Sequence, residues 1–215
     1  RNLPPKEGRG FKAHIKAWNG EYKSWRGGHY SLELLDSSCK KGRLLDAGCG
    51  GGRYTLPLRM RGFDVVALDV SPNALRMAGK RSAGHGLDTE FLAANIYEIP
   101  FQDASFDIIW CYGVLQHLLL KERELAIREC RRILKKEGLL FIEVLGEDDM
   151  RYGGIEIEHN TFSRKSSIIY HYFNKNELNE LLKGFSCHIA ESRTEKRFNG
   201  EYYIRHMISA VAKKL

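Results

Sequence analysis

A chain of 215 residues, 43% of them apolar, is long enough to bury a sizeable core and fits a single domain, or one domain with a small cap. The formal net charge of +7 gives a mild attraction to anionic partners, but Asp and Glu are interspersed with the basic residues, so it reads as a bias only. The five cysteines, Cys39, Cys49, Cys111, Cys130 and Cys187, are odd in number and contain no C-x-x-C pair, which argues against a disulfide framework or a zinc site and fits a reducing, cytoplasmic setting. No apolar run reaches the length of a membrane span, and the polar opening RNLPPKEGRG is unlike a signal peptide.

Residues 1–42 precede the first strand and are expected to form helices, or a lid over the edge of a sheet. Short apolar runs at 43–47, 64–69, 89–93, 106–111 and 138–145 predict buried strands. Helices are expected between them, at 52–61, at 71–82 with Ser71 as N-cap and Pro72 at the first helical position, and at 121–136. Strand and helix in alternation predict right-handed βαβ units and a parallel sheet covered on both faces, an α/β fold with a core over 43–145. Residues 146–173 form an insertion, whose apolar and aromatic residues from Ile155 to Phe173 are expected to cap an acceptor site. The tail, 174–215, predicts a helix at 174–183 and two strands, 185–193 and 202–212, with no helix between them and therefore antiparallel pairing.

Four glycines crowd the five residues from Gly48 to Gly52, directly after the first strand. Glycine there allows positive φ or the close approach of a ligand to the main chain. The following helix offers unpaired N–H groups and a partial positive charge. Asp69 lies 21 residues after Gly48, at the end of the next strand, where a carboxylate can accept both hydroxyls of a ribose. The ligand expected is an adenosine-type nucleotide or nucleoside. A dinucleotide fingerprint, G-x-G-x-x-G, would end at Arg53, too large for the close helix packing required there. The spacing G-x-G-x-G is met by Gly48, Gly50 and Gly52, with Asp46 ahead of it to meet an ammonium group. S-adenosylmethionine has such an amino-acid end.

At these residues the chain resembles the class I S-adenosylmethionine-dependent methyltransferases, in particular the small-molecule type that is tellurite-resistance-like or UbiE-like. LLDAGCGGGR resembles their first motif, VVALDVSPNAL the second, and IPFQDASFDIIWC, LQHL and ILKKEGLLFIEV the segments that follow, so that the likeness covers Arg43 to Leu145. The resemblance implies a Rossmann-like, doubly wound sheet of seven strands, mostly parallel with the last strand antiparallel, and S-adenosyl-L-methionine as cofactor. It implies a cofactor site of Asp46, Gly48, Cys49, Gly50, Gly52, the ribose acid Asp69 with Val70, Asn95 and Ile96 about the adenine, and Cys111 and Gln116. Many relatives carry Asp where Asn95 stands; an amide can still accept from the exocyclic amine and donate to a ring nitrogen. YKSWRGGHYSLELL is similar to the lead-in of the same group, which implies that Tyr22, Trp25 and Arg26 close over the methionine end, with Arg26 offered to its carboxylate.

A sulfonium carries an activated methyl, so the protein mainly has to hold an acceptor in line with it; a base is needed only where the acceptor must lose a proton. Among His117, Glu143, Glu158, His159 and His171, the expected catalytic residues are His117, Glu143 and His171. Glu156, Glu158, His159 and His171 have no fixed ligand spacing, and no metal is expected. Base-amine methylation of nucleic acid calls for an acid or amide followed by two prolines and an aromatic, whereas this chain has Cys111, Tyr112, Gly113 and Val114. Arg128, Arg131, Arg132, Lys135 and Lys136 are expected to make a solvated helix face rather than a phosphate track. A small-molecule acceptor is therefore expected, the alternatives being an RNA or protein methyltransferase and a catalytically silent cofactor-binding module.

Overall fold

A computed structural model describes residues 16–22, 32, 34–35, 41–164 and 168–215. Its centre is five parallel strands, β1 (Arg43–Ala47), β2 (Asp64–Asp69), β3 (Glu90–Ala93), β4 (Phe106–Tyr112) and β5 (Leu134–Leu145). Two long strands, β9 (Phe185–Phe198) and β10 (Glu201–Lys214), complete a seven-stranded sheet in the order β3-β2-β1-β4-β5-β10-β9, with β10 antiparallel to both neighbours. The order reverses between β1 and β4, which opens a crevice at the carboxyl ends of those strands.

Adjacent residues of one strand go to opposite faces, and both faces are covered. Leu45, Val66, Ile109, Leu140 and Ile142 pack with α3 (Leu120–Ile133) and α4 (Lys175–Leu181), whose Ala126, Ile127, Cys130 and Leu178 are buried there. Leu44, Val65, Ile108, Trp110 and Phe141 pack on the other face with Leu58 of α1 (Thr55–Met60) and with Phe63. Burial on both sides explains why these strands read as continuous apolar runs without polar alternation.

The helix α2 (Pro72–Gly84) begins as its sequence predicts, with the Ser71 hydroxyl accepting from Ala74 N at 3.2 Å and Pro72 in the first turn. The helix expected at 121–136 ends earlier, at Ile133. Leu134 instead pairs with Phe106, Lys135 reaches Asp107 at 2.8 Å, and a register shift with Glu137 at φ 62° turns the chain into β5. Strand pairing has overridden the helix preference of Lys135, Lys136 and Glu137.

Within the insertion, β6 (Ile155–Glu158), β7 (Thr161–Ser163) and β8 (Ile169–His171) form a small antiparallel sheet that the sequence did not predict. The C-terminal hairpin is also longer than predicted. Pairing of β10 with β5 stops at Met207–Leu145, while β9 and β10 pair on to Phe198–Glu201, so the ribbon stands beyond the carboxyl edge of the sheet. Asn199 and Gly200 close it, both at positive φ, as a two-residue hairpin turn requires.

Candidate functional site

A cleft of about 740 Å³, measured with its open mouth, lies at the crevice between β1 and β4. Gly48, Asp69 and Val70, Asn95 and Ile96, and His117 line it, from the turns that follow β1, β2, β3 and β4. Tyr22 and Trp18 reach it from the helical residues 16–21. Sequence reading had missed Trp18, Leu68, Tyr97, Gly113, Val114, Leu118 and Glu122, which also line it. The apolar ones carry no chemical signature, although Glu122 has one: it reaches back from the first turn of α3 to the Leu119 N–H at 2.9 Å.

The glycine turn works through its shape. Gly48, Gly50 and Gly52 all have positive φ, at 77°, 53° and 81°. A Cβ on Gly48 would collide with Val114, and one on Gly50 with the Tyr22 hydroxyl, so only glycine leaves both the backbone conformation and the approach to the main chain open. Asp69 is nearly fully buried and fixes the turn, one carboxylate oxygen accepting from Gly50 N and the other from Ser71 N, each at 2.8 Å. Burial pushes its pKa up to about 6, against the pull of those two N–H groups. Asp46 is buried behind the turn and accepts from the Thr55 hydroxyl at 2.5 Å; burial raises it to about 7, partly opposed by that bond, with Asp69 adding to the rise. Cys49 and Cys111 are buried, with thiols held well above their ordinary range by desolvation; neither lines the cleft.

Helical residues 16–21 dock on the start of α2. The Asn19 side-chain oxygen accepts from the Ser71 hydroxyl at 2.6 Å, and the Asn19 carbonyl accepts from Asn73 Nδ2 at 2.9 Å. This places Tyr22 over Gly50, where burial, and then the charge of Asp69, keep its phenol protonated. Trp25 and Arg26 lie outside the described residues.

Of the three expected catalytic residues, only His117 lines the cleft. Gln116, which does not line it, accepts from Leu145 N through Oε1 at 3.1 Å, so its amide NH₂ is turned toward His117 Nε2 at 3.4 Å. That orientation makes Nε2 the acceptor, and Nδ1 then donates to the Ile169 carbonyl at 2.8 Å. Glu143 sits across from Tyr112 on β5, its pKa raised by burial against the charges of Arg53 and Arg205. His171 is engaged at both nitrogens, with the Thr161 hydroxyl and with Glu177, each at 2.8 Å, and ties the small sheet to α4.

The acids beside His171 are likewise used within the chain: Glu158 accepts from Leu120 N at 2.9 Å and Glu156 from Asn160 N at 3.0 Å. Among the described residues no group of three or more His, Cys, Asp or Glu could hold a metal ion, and no helix is long and apolar enough to cross a membrane. Part of the basic run at the end of α3 is spent internally, Arg132 on Glu129 and Asp103 and Lys135 on Asp107.

Comparison with known proteins agrees with this geometry. Residues 45–142 match the family described as "Methyltransferase domain". The chain is 34% identical over 140 residues to an uncharacterised protein of Methanocaldococcus jannaschii, covering 64% of this chain and 56% of that one. It is 31% identical over 104 residues to the ubiquinone biosynthesis O-methyltransferase of Xanthomonas axonopodis, covering 48% and 43% respectively. The chain thus spans about half the length of these curated relatives. In structure it superposes, with a TM-score of 0.70 and 18% identity over 100% of this chain and 94% of the other, on the 1,6-didemethyltoxoflavin-N1-methyltransferase of Burkholderia thailandensis, solved with 1,6-didemethyltoxoflavin and S-adenosylhomocysteine bound. Over residues 45–142 the chain thus matches a methyltransferase domain, and its seven-stranded sheet has the fold of S-adenosylmethionine-dependent methyltransferases of known structure.

Proposed function

We propose that the protein transfers a methyl group from S-adenosylmethionine to a small-molecule acceptor that enters beneath the small sheet of residues 155–171. One observation carries this reading: a turn of three left-handed glycines that meets the cleft through Gly48, a buried acid bonded to that turn, and an amide after β3 come together at the switch point of the sheet. When bound, the cofactor supplies an activated methyl.

In this reading Asp69 accepts the ribose hydroxyls, Val70, Asn95 and Ile96 flank the adenine, and Gly48 to Gly52 leave room for the methionine end, with Asp46 behind them. Tyr22 and Trp18 exclude water from the top of the cleft. His117 lines the acceptor end, with its tautomer set by Ile169 and Gln116, and takes the acceptor's proton where one must leave. Glu143 and His171 act as positioning residues, through β5 and through the small sheet. The ubiquinone-pathway and toxoflavin-type relatives act on small molecules, which supports an acceptor of that size.

A panel of phenols, amines, thiols, carboxylic acids, transfer RNA and protein, assayed with radiolabelled methyl donor, tests the acceptor class. Label on a small molecule is the expected result; label on RNA or protein alone would overturn it. With the acceptor found, His117→Gln should lower kcat by about a hundredfold while leaving affinity for S-adenosylhomocysteine within about twofold. Equal loss of both would make His117 a structural residue.

A further inference from the structure

Beside the acceptor end stand two arginines, Arg151 and Arg164, with no acid paired to them among the described residues. Tyr170 of β8 stands edge-on to His117 at 4.8 Å between ring centroids, and so lies one side chain behind the wall that His117 gives the cleft. The Arg164 guanidinium lies 5.1 Å from the centre of the Tyr170 ring, with one nitrogen 3.2 Å from the Tyr172 hydroxyl. Arg151 comes to the same place from the segment before β6, because its carbonyl accepts from that Tyr172 hydroxyl. The Arg151 side chain makes no hydrogen bond or ion pair among the described residues, and Arg164 has no carboxylate partner among them.

Three other arginines on this side of the fold or at the end of α3 are each matched by an acid. Arg205, on the adjoining strand β10, is matched by buried Asp149 at 3.2 Å, as Arg193 is by Asp148 at 2.7 Å and Arg132 by Glu129 at 2.8 Å. Of these two forks without an acid, Arg164 is held in place on a tyrosine face and Arg151 is left to turn toward it, and both suit planar anionic oxygens. The acid that acts on Tyr170 is Glu21 of the helical residues 16–21, while Asp149, which acts on the neighbouring Tyr172, is committed to Arg205 and to the His206 N–H. Burial keeps the Tyr170 phenol protonated and able to donate, while Arg151, Arg164 and Arg205 all pull the other way, as a positive potential at that hydroxyl must.

We propose that Arg151 and Arg164, with the Tyr170 hydroxyl, form a subsite for an anionic oxygen group, a carboxylate or a phosphate, carried by the methyl acceptor away from the atom that is methylated. The assignment to an acceptor rests on the methyltransferase reading above; the anion subsite itself does not. An acceptor anchored at Tyr170 would extend inward past His117 to the cofactor cleft.

The test titrates benzoate, inorganic phosphate and the neutral isostere benzamide calorimetrically into the full chain, alone and saturated with S-adenosylhomocysteine. The same titrations are run on the double variant R151A/R164A and on K136A, a charge control at an exposed position near the start of β5. Thermal unfolding checks that each variant is folded; R151A alone, which removes no hydrogen bond or ion pair, is the fallback if the double variant is not. At least one of the two anions should bind where benzamide does not, with affinity reduced about tenfold or more in the double variant and unchanged in K136A. Binding of benzoate alone would identify a carboxylate subsite, and of phosphate alone a phosphate subsite. Anion affinity no better than that of benzamide, or lost equally in K136A, would overturn the proposal. Failure of S-adenosylhomocysteine to bind, with the anion result intact, would instead overturn the methyltransferase reading.

Discussion

Asp69 concentrates the chemistry of the cofactor cleft. In the proposed reading it must be ionised to accept the two ribose hydroxyls, yet burial raises its pKa to about 6 while it also holds the turn through Gly50 N–H. Replacing it by Asn removes the charge and one acceptor oxygen, and hydrogen bonds to charged groups are worth roughly 1.5–3 kcal/mol. Affinity of Asp69→Asn for S-adenosylhomocysteine should therefore fall about 10- to 100-fold by calorimetry. The wild-type protein should bind about tenfold more weakly at pH 5 than at pH 8, because only about a tenth of a group with pKa near 6 is ionised at pH 5. A flat profile between those pH values would mean that the ionised acid is not what the ligand meets. Asp69 was legible from the sequence because its place at the end of β2 follows from spacing alone. Arg151, Arg164 and Trp18 were not, because their significance comes from contacts across chain segments.

Among the elements, α2 has the most work at its first turn. The Ser71 hydroxyl caps the helix at Ala74 N and at the same time donates to Asn19, so one oxygen joins the helix start to the segment over the cleft. Ser71→Ala should lower unfolding stability by about 1 kcal/mol, as for loss of an N-cap. It should also weaken S-adenosylhomocysteine binding, through the looser seating of Trp18 and Tyr22. Loss of stability with unchanged binding would separate the two roles and remove the lid function from residues 16–21. The N-cap and the five parallel strands could be read from sequence because their determinants are local: a Ser-Pro pair, and apolar runs bounded by polar turns. The early end of α3 at Ile133 could not, since it depends on Leu134 finding Phe106 and Lys135 finding Asp107 across the sheet. The small sheet of the insertion was hidden for a similar reason. Its strands are only three or four residues long, too short for any periodicity to show.

For the whole molecule, two buried acids next to one another oppose folding when ionised. Asp46 and Asp69 have pKa values raised from 3.8 to about 7 and about 6, so the folded state binds their protons more tightly than the unfolded chain does. Their contribution to stability is full below about pH 4 and is lost as pH rises through 6 to 7. Asp107, Glu129 and Asp148 are shifted down by cationic partners and act in the opposite sense, their contribution being lost in acid. The difference isolates the buried pair: the fall in Tm between pH 5 and pH 8 should be smaller in Asp46→Asn than in the wild-type protein. An equal fall in both would mean that Asp46 titrates normally. Bound ligand should offset the loss, since it supplies partners for the ionised forms.

The central claim is that the glycine turn, Asp69 and Asn95 form a methyl-donor site. The most direct test is calorimetric titration of the wild-type chain with S-adenosylhomocysteine and, separately, with NADH. The account predicts saturable binding of S-adenosylhomocysteine and none of NADH, since Arg53 stands where a dinucleotide turn needs its last glycine. Binding of NADH alone, or of neither ligand, would contradict it.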